Sequence, residues 1–196
     1  MAEMTLPTTP TPAPVRARPS RALLLIGGAI LIFVATYVLA WWDAYRLTST
    51  YIQDADRSYE EGRYLDALTG YEAFDQTTRK YVPYGGYLQV ERIWSNRYAF
   101  PVPDAVEKAR ARIDDIIYTR LTLEDAETFV QQNIGRSNPA MGLIYLRLGE
   151  LYEEAGELRD AEDIYESIPD LFPNDEELIA RARADLERLR QKLADG

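Results

Sequence analysis

The chain contains no cysteine and no histidine. Their absence excludes thiolate nucleophiles, the Ser-His-Asp arrangement, covalent haem attachment, cysteine-ligated iron–sulfur clusters and the ordinary zinc sites. Disulfides and lipoprotein anchoring are excluded with them. The chemistry left to the chain is that of carboxylates, Lys, Tyr, Ser and Thr. A Ca²⁺ or Mg²⁺ site built from oxygens stays open to such a chain, but no Asp/Gly-spaced calcium loop appears. No Gly-rich phosphate cradle occurs either, and Tyr84-Gly85-Gly86-Tyr87 reads as a turn. The acidic runs Glu60-Glu61, Asp114-Asp115, Glu153-Glu154 and Asp175-Glu176-Glu177 fall on helix surfaces or caps, where solvated charge is the ordinary explanation. No catalytic constellation, metal site or cofactor is therefore expected, and the protein reads as a non-enzyme.

Positive charge is scarce: 22 Lys and Arg stand against 32 Asp and Glu, a net charge of −10. The imbalance lies wholly after residue 42, where 19 basic face 31 acidic side chains. Such a surface repels phosphate backbones, so nucleic acid is not an expected partner.

What the chain does have is one long apolar run. From Ala22 to Trp42 no residue is charged, and 21 residues at 1.5 Å rise span ~31 Å, the thickness of a hydrocarbon core. The run exceeds the ~7–15 residues of a secretory h-region, which favours a retained single-pass anchor. Cleavage after Val38-Leu39-Ala40, a small-x-small site, is the competing reading. Arg16, Arg18 and Arg21 cluster before the run, whereas only Arg46 and Arg57 lie in the 20 residues after it. This places the N-terminus in the cytoplasm and the C-terminal domain in the periplasm or its equivalent. Tyr37, Trp41, Trp42 and Tyr45 fit an aromatic belt at the outer membrane interface. Gly27, Gly28 and Ala35 form a small-residue strip on which another helix could pack. Before the run, the Pro/Thr-rich segment TLPTTPTPAPVRARP cannot form a core and reads as a disordered tail.

Beyond Trp42 the sequence reads as helices with a repeat near 34 residues. In residues 142–174, Tyr145, Leu148-Gly149, Tyr152, Gly156, Ala161, Tyr165 and Pro173 stand at the offsets of one helical hairpin. Small Gly149 and Ala161 let two helices lie close while the tyrosines fill the space around them. Residues 51–74 repeat the pattern with Ala55, Gly62, Ala67 and Tyr71 against Gly149, Gly156, Ala161 and Tyr165. Residues 107–140 are a degenerate third unit, with Ile113, Ile117, Ala126 and Val130 in place and Asp114 where a small residue belongs. Helix starts are expected at Asp104-x-x-Glu107, Thr122-x-x-Asp125, Ser137-Asn138-Pro139 and Pro173-Asn174. A last helix, 175–194, places Leu178, Ala182, Leu186, Leu189 and Leu193 on one stripe, as a cap closing a stack requires.

These spacings resemble the tetratricopeptide repeat. The resemblance implies an all-α fold: a transmembrane helix followed by a small solenoid of helical hairpins with a C-terminal capping helix. The expected division is a cytoplasmic tail (1–21), a transmembrane helix (22–42), a first hairpin (43–80), an aromatic-rich insert (81–103), and further hairpins with the cap (104–196). With no Pro or Gly from Asp43 to Glu61, the apolar helix is expected to continue into the first hairpin.

The resemblance also implies an inner groove lined by first helices, here Asp56, Tyr59 and Glu60 with Glu150, Glu153 and Glu154. Such a groove is acidic and suits a basic or amphipathic segment. The insert gathers Tyr84, Tyr87, Arg92, Trp94, Arg97 and Tyr98, residue types enriched at binding hot spots. They either contact a partner or lipid, or pack back on the hairpins. In size and layout the chain resembles single-helix accessory subunits of bacterial energy-converting membrane complexes, such as alternative complex III, which serve electron transport. The partners so implied are other subunits of a membrane protein complex and the bilayer. A free-standing envelope scaffold or assembly factor is the first alternative, and a tethered carboxylate- or tyrosine-dependent enzyme the second.

Overall fold

The computed structural model describes residues 21–96, 98–135 and 138–195. The tail 1–20, Arg97 and the cap expected at Ser137 lie outside them. The chain divides after Trp42 into two units. Helix α1 (Arg21–Glu60) is one 40-residue element, so the continuous helix expected from the lack of Pro and Gly is present. Every residue from Leu24 to Ala40 is exposed. Among the described residues this is the one helix long and apolar enough to cross a bilayer, a form shared by membrane spans and secretory signals. Within the apolar stretch the Thr36 hydroxyl donates to the Ile32 carbonyl at 2.9 Å, so this polar group is satisfied within the helix. Gly27 and Gly28 have nothing within 4 Å of an added Cβ, and Ala35 is exposed. No helix of this chain packs on that strip among the described residues.

The second unit is a stack of helical hairpins. The later part of α1 turns at Gly62 into α2 (Tyr64–Thr69). After the intervening segment come α3 (Tyr87–Trp94), α4 (Asp104–Asp115) with a π-helical turn at Ile116–Arg120, and α5 (Leu123–Asn133). Then follow α6 (Met141–Ala155), α7 (Leu158–Leu171) and α8 (Glu176–Asp195). Each helix packs mainly on its sequence neighbours, α3 on α4, α5 on α6, α6 on α7 and α7 on α8, which is the contact pattern of a solenoid. The fold is that of the all-α, hairpin-stack expectation, with one small sheet added.

The first and last hairpins close identically. Gly62 (φ +77°) and Gly156 (φ +84°) sit in the left-handed region that only glycine enters cheaply. Arg63 N–H donates to the Ser58 carbonyl and Glu157 N–H to the Tyr152 carbonyl, the paired bonds of a glycine-terminated helix. Ala55, Gly149, Ala67 and Ala161 are buried where two helices meet.

The sheet is where expectation and structure part. Strands β1 (Tyr71–Asp75) and β2 (Lys80–Tyr84) form an antiparallel pair with Tyr71 opposite Tyr84. Tyr71 is thus a strand residue, half-buried and stacked on Tyr84 at 4.7 Å, and does not fill the place of Tyr165. That place belongs to Tyr87, fully buried like Tyr165, with Val90 matching Ile168. The spacing from Ala67 to Tyr87 is sixteen residues longer than that from Ala161 to Tyr165. The second helix of the first hairpin is therefore interrupted: α2 and α3 are its two halves, and the β-hairpin is an excursion between them. The amide of Gln89 donates from its side chain to the Thr69 carbonyl at 3.3 Å, tying the halves together.

In the middle hairpin, Ala126 and Val130 are buried as the repeat demands, and Ile113 and Ile117 are buried with them. Asp114 points to solvent. Two expected caps differ. Pro103 rather than Asp104 precedes α4, with no side-chain cap, and Asp104 and Glu107 lie in its first turn. Asp175 rather than Asn174 caps α8, accepting from Leu178 N–H at 3.0 Å. Thr122 caps α5 as expected, accepting from Asp125 N–H. Helix α8 seals the stack with Leu178, Ala182 and Leu189; Leu186 is half-buried and Leu193 is 46 % exposed, so the stripe frays at its end.

Candidate partner-binding surfaces

The acidic positions read as a groove lining do not form an open acidic surface. Asp56 accepts from the Tyr87 hydroxyl at 2.6 Å and pairs with Lys108. The Tyr59 hydroxyl donates to Asp115, its ring lies under the Arg112 guanidinium at 4.1 Å, and Tyr64 meets it edge-on. Glu60 is exposed. Glu150 pairs with Arg147 at 3.0 Å, and Glu154 with the same guanidinium at 2.7 Å. Glu153 holds Arg188 at 2.8 Å and also Lys192. The last hairpin thus meets α8 across a charged recess of about 390 Å³. The polar face of α8 carries Arg181, Arg188 and Lys192 back to these carboxylates. A basic segment entering there would have to displace them.

Arg147 is the buried centre of this network, 7 % exposed. Its Nε donates to the Ile117 carbonyl at 3.0 Å, an acceptor in the π-helical turn that ends the preceding helix. Burial pulls its pKa down, but the hydrogen bonds it donates to Glu154 and Glu150 prevail and raise it. Burial likewise pushes the Glu153 carboxyl up, and the Lys192 and Arg188 contacts bring it below the usual range.

The aromatic positions divide. Tyr87 is fully buried and Trp94 is 5 % exposed, so neither is a surface hot spot. They are core residues because α3 is half of a repeat helix. The Trp94 indole N–H donates to the Thr48 hydroxyl at 2.7 Å, fixing α3 to α1. Burial and the Asp56 hydrogen bond push the Tyr87 phenol above its ordinary pKa. Tyr84 is half-buried, Arg92 is exposed and Tyr98 is 66 % exposed. Phe74 and Tyr81, on the solvent side of the β-hairpin, are 53 % and 69 % exposed and meet edge-to-face. Of the belt residues, Tyr37, Trp42 and Tyr45 are exposed and Trp41 is half-buried.

A groove that no sequence motif announces lies between α5 and the α6–α7 hairpin, with a volume of about 570 Å³. Its walls include Met141, Tyr145, Leu148, Ile164 and Phe172. Ile134 and Leu171 stand at its rim, 69 % and 55 % exposed. Its lining draws on α5, which has 11 residues, and on the longer helices α6 and α7. One end is polar: the Tyr152 hydroxyl donates to Glu127 at 2.6 Å. That bond, then burial and the fields of Glu127, Asp160 and Glu157, push the phenol up, and Glu127 itself lines this end of the groove. Among the described residues no group of three or more Asp or Glu is placed to hold a metal ion.

Residues 123–186, from α5 into α8, match the family model of the tetratricopeptide repeat. The stack is a tetratricopeptide-repeat-like domain, an architecture suited to protein–protein contact. No curated protein and no solved structure matches the chain.

Proposed function

We propose that the protein is a non-catalytic, membrane-anchored adaptor, an accessory subunit that stabilises a larger membrane complex through protein–protein contacts. The observation that carries this reading is the apolar groove between α5 and α6–α7, on a repeat-like domain that follows an exposed apolar stretch in the sequence. An apolar cleft with a few polar groups at one end is the form of a recognition site, and repeat stacks present such clefts to extended or helical segments. The apolar helix is retained, with the N-terminus in the cytoplasm and the repeats outside it. Its glycine strip and aromatic belt face neighbouring helices and lipid in the complex. Electron-transport assemblies are one class of complex such a subunit serves.

The test is purification of the full chain in mild detergent through several columns. Stoichiometric companions are expected, and Leu171→Glu, an exposed rim position, should release them without lowering the melting temperature. Purification alone, or companions indifferent to Leu171→Glu and to Ile134→Lys, would remove the groove from this role. The intact mass of the mature chain decides between anchor and signal, since cleavage after Ala40 would remove the span. Protease added outside spheroplasts should digest residues 43–196; survival of that region would reverse the orientation.

A further inference from the structure

The segment between α3 and α4 has a composition unlike the rest of the second unit. From Arg92 to Pro103 there is no Asp or Glu, in a region that otherwise carries a large excess of them. Its second half, Tyr98-Ala99-Phe100-Pro101-Val102-Pro103, has no charged side chain at all. Yet it is not core: Tyr98, Phe100 and Val102 are 66 %, 76 % and 46 % exposed. Three large apolar groups exposed within five residues are costly in water, and such patches mark contact surfaces.

What their exposed area can reach follows from where the segment starts. Trp94, its first neighbour, is held by the hydrogen bond to Thr48, and both side chains are buried, so this point is fixed. Thr48 lies only six residues after Trp42, the end of the apolar run. In a helix six residues rise ~9 Å, against a headgroup layer of ~5–8 Å on each side of the hydrocarbon. Six further residues, from Trp94 to Phe100, reach at most ~20 Å. The segment is therefore tethered within reach of the interface in which Trp and Tyr rings are enriched. Its freedom from carboxylates removes the charge that anionic lipid would repel, and Tyr45 and Leu47 on α1 are also 40 % and 41 % exposed.

We propose that Tyr98, Phe100 and Val102 insert into the lipid headgroup layer, giving the protein a second, peripheral membrane contact beside its apolar helix. The inference rests on the reading of that helix as a retained anchor, and its test separates the two. Because the chain has no cysteine, single-cysteine variants can be spin-labelled without further change. Phe100→Cys and Val102→Cys are the test sites, Ile32→Cys is the reference within the apolar run, and Arg159→Cys, exposed on α7, is the aqueous reference. The labelled full chain is placed in nanodiscs of phosphatidylcholine with phosphatidylglycerol, and collision with oxygen is compared with collision with a water-soluble nickel chelate. The oxygen-to-nickel ratio at positions 100 and 102 is expected several-fold above that at 159 and below that at 32. Equal ratios at 100, 102 and 159, with lipid-like values at 32, would overturn the proposal and leave the anchor standing. Low collision with both reagents at 100 and 102 would mean a protein-covered segment and would equally overturn it. A water-like value at 32 would instead remove the anchor itself.

Discussion

Gly70 and Gly86 meet backbone to backbone although fifteen residues lie between them. A Cβ on Gly86 would collide with the Gly70 amide and the Leu68 carbonyl. The chain leaves a helix at one glycine and re-enters it at the other, and neither obstacle is a side chain able to swing aside. Gly86→Ala should lower stability by ~1–3 kcal/mol, the cost of overpacking a tight site. Gly27→Ala, where nothing lies within 4 Å, should leave it unchanged. Denaturant titration of both variants measures the difference.

If the β-hairpin is an excursion, removing it should leave the stack intact. A chain lacking residues 70–85 joins Thr69 to Gly86 and returns Tyr87 to the spacing that Tyr165 keeps from Ala161. Its helical circular dichroism should persist with a cooperative melt. A non-cooperative melt would show that the strands hold the first hairpin together.

The two buried tyrosines should differ in what their hydroxyls contribute. Tyr87 donates to Asp56 at 2.6 Å, whereas Tyr165 lies 3.5 Å from Glu153, at the limit of a hydrogen bond. Tyr87→Phe should cost ~1–2 kcal/mol, as loss of a bond to a charged acceptor does. Tyr165→Phe should stay within ~0.5 kcal/mol of the parent, the scale of a mutation that removes no effective bond. Equal losses in chemical denaturation would contradict the distances.

Arg147→Met removes the donor that satisfies the Ile117 carbonyl and the partner shared by Glu150 and Glu154. Breaking a buried pair from one side leaves uncompensated groups, and a loss of ~2–4 kcal/mol is expected. Arg190→Met, whose pairs with Glu162 and Glu166 lie on an exposed, solvent-screened face, should leave stability close to that of the parent. Thermal melts of the two variants give the ordering.

Acid should destabilise the domain. The Tyr59 hydroxyl holds the Asp115 carboxyl below its ordinary range, and Arg188 with Lys192 does so for Glu153 against the effect of burial. Folded values below unfolded ones stabilise the fold above the ordinary carboxylate pKa of ~4, and this contribution is lost as pH falls through the folded values. The melting temperature should be level from neutral pH to ~5 and fall steeply below ~4. In Glu153→Gln the neutral value should be lower and the acid fall shallower.

The last hairpin was legible because Gly149, Tyr152, Gly156, Ala161 and Tyr165 report packing distances directly, and nothing interrupts them. The first hairpin was legible only to Ala67. A period search assumes a continuous chain, so it took Tyr71, the next aromatic at the right offset, for a core residue that lies twenty positions beyond Ala67, at Tyr87. The clue was local: Gly70 and the Gly85-Gly86 pair bracket two aromatic runs joined by the turn residues Asp75-Gln76-Thr77-Thr78. The groove left no trace because it is a gap between α5 and the α6–α7 hairpin, and no motif reports how far apart two helices stand. The ion pairs of α8 were hidden for another reason. Arg181, Arg188 and Lys192 are ordinary solvent-face charges until the capping helix is laid against α6.

The junction at Gly70 and Gly86 also makes the first hairpin a natural docking port for foreign sequence. A helix that halts and resumes across one point accepts any polypeptide whose two ends lie a few ångströms apart. A small reporter domain spliced there in place of Tyr71–Tyr84 would ride on the stack without stretching it. The same protein could then be watched in its native assembly through an attachment point that its own architecture already provides.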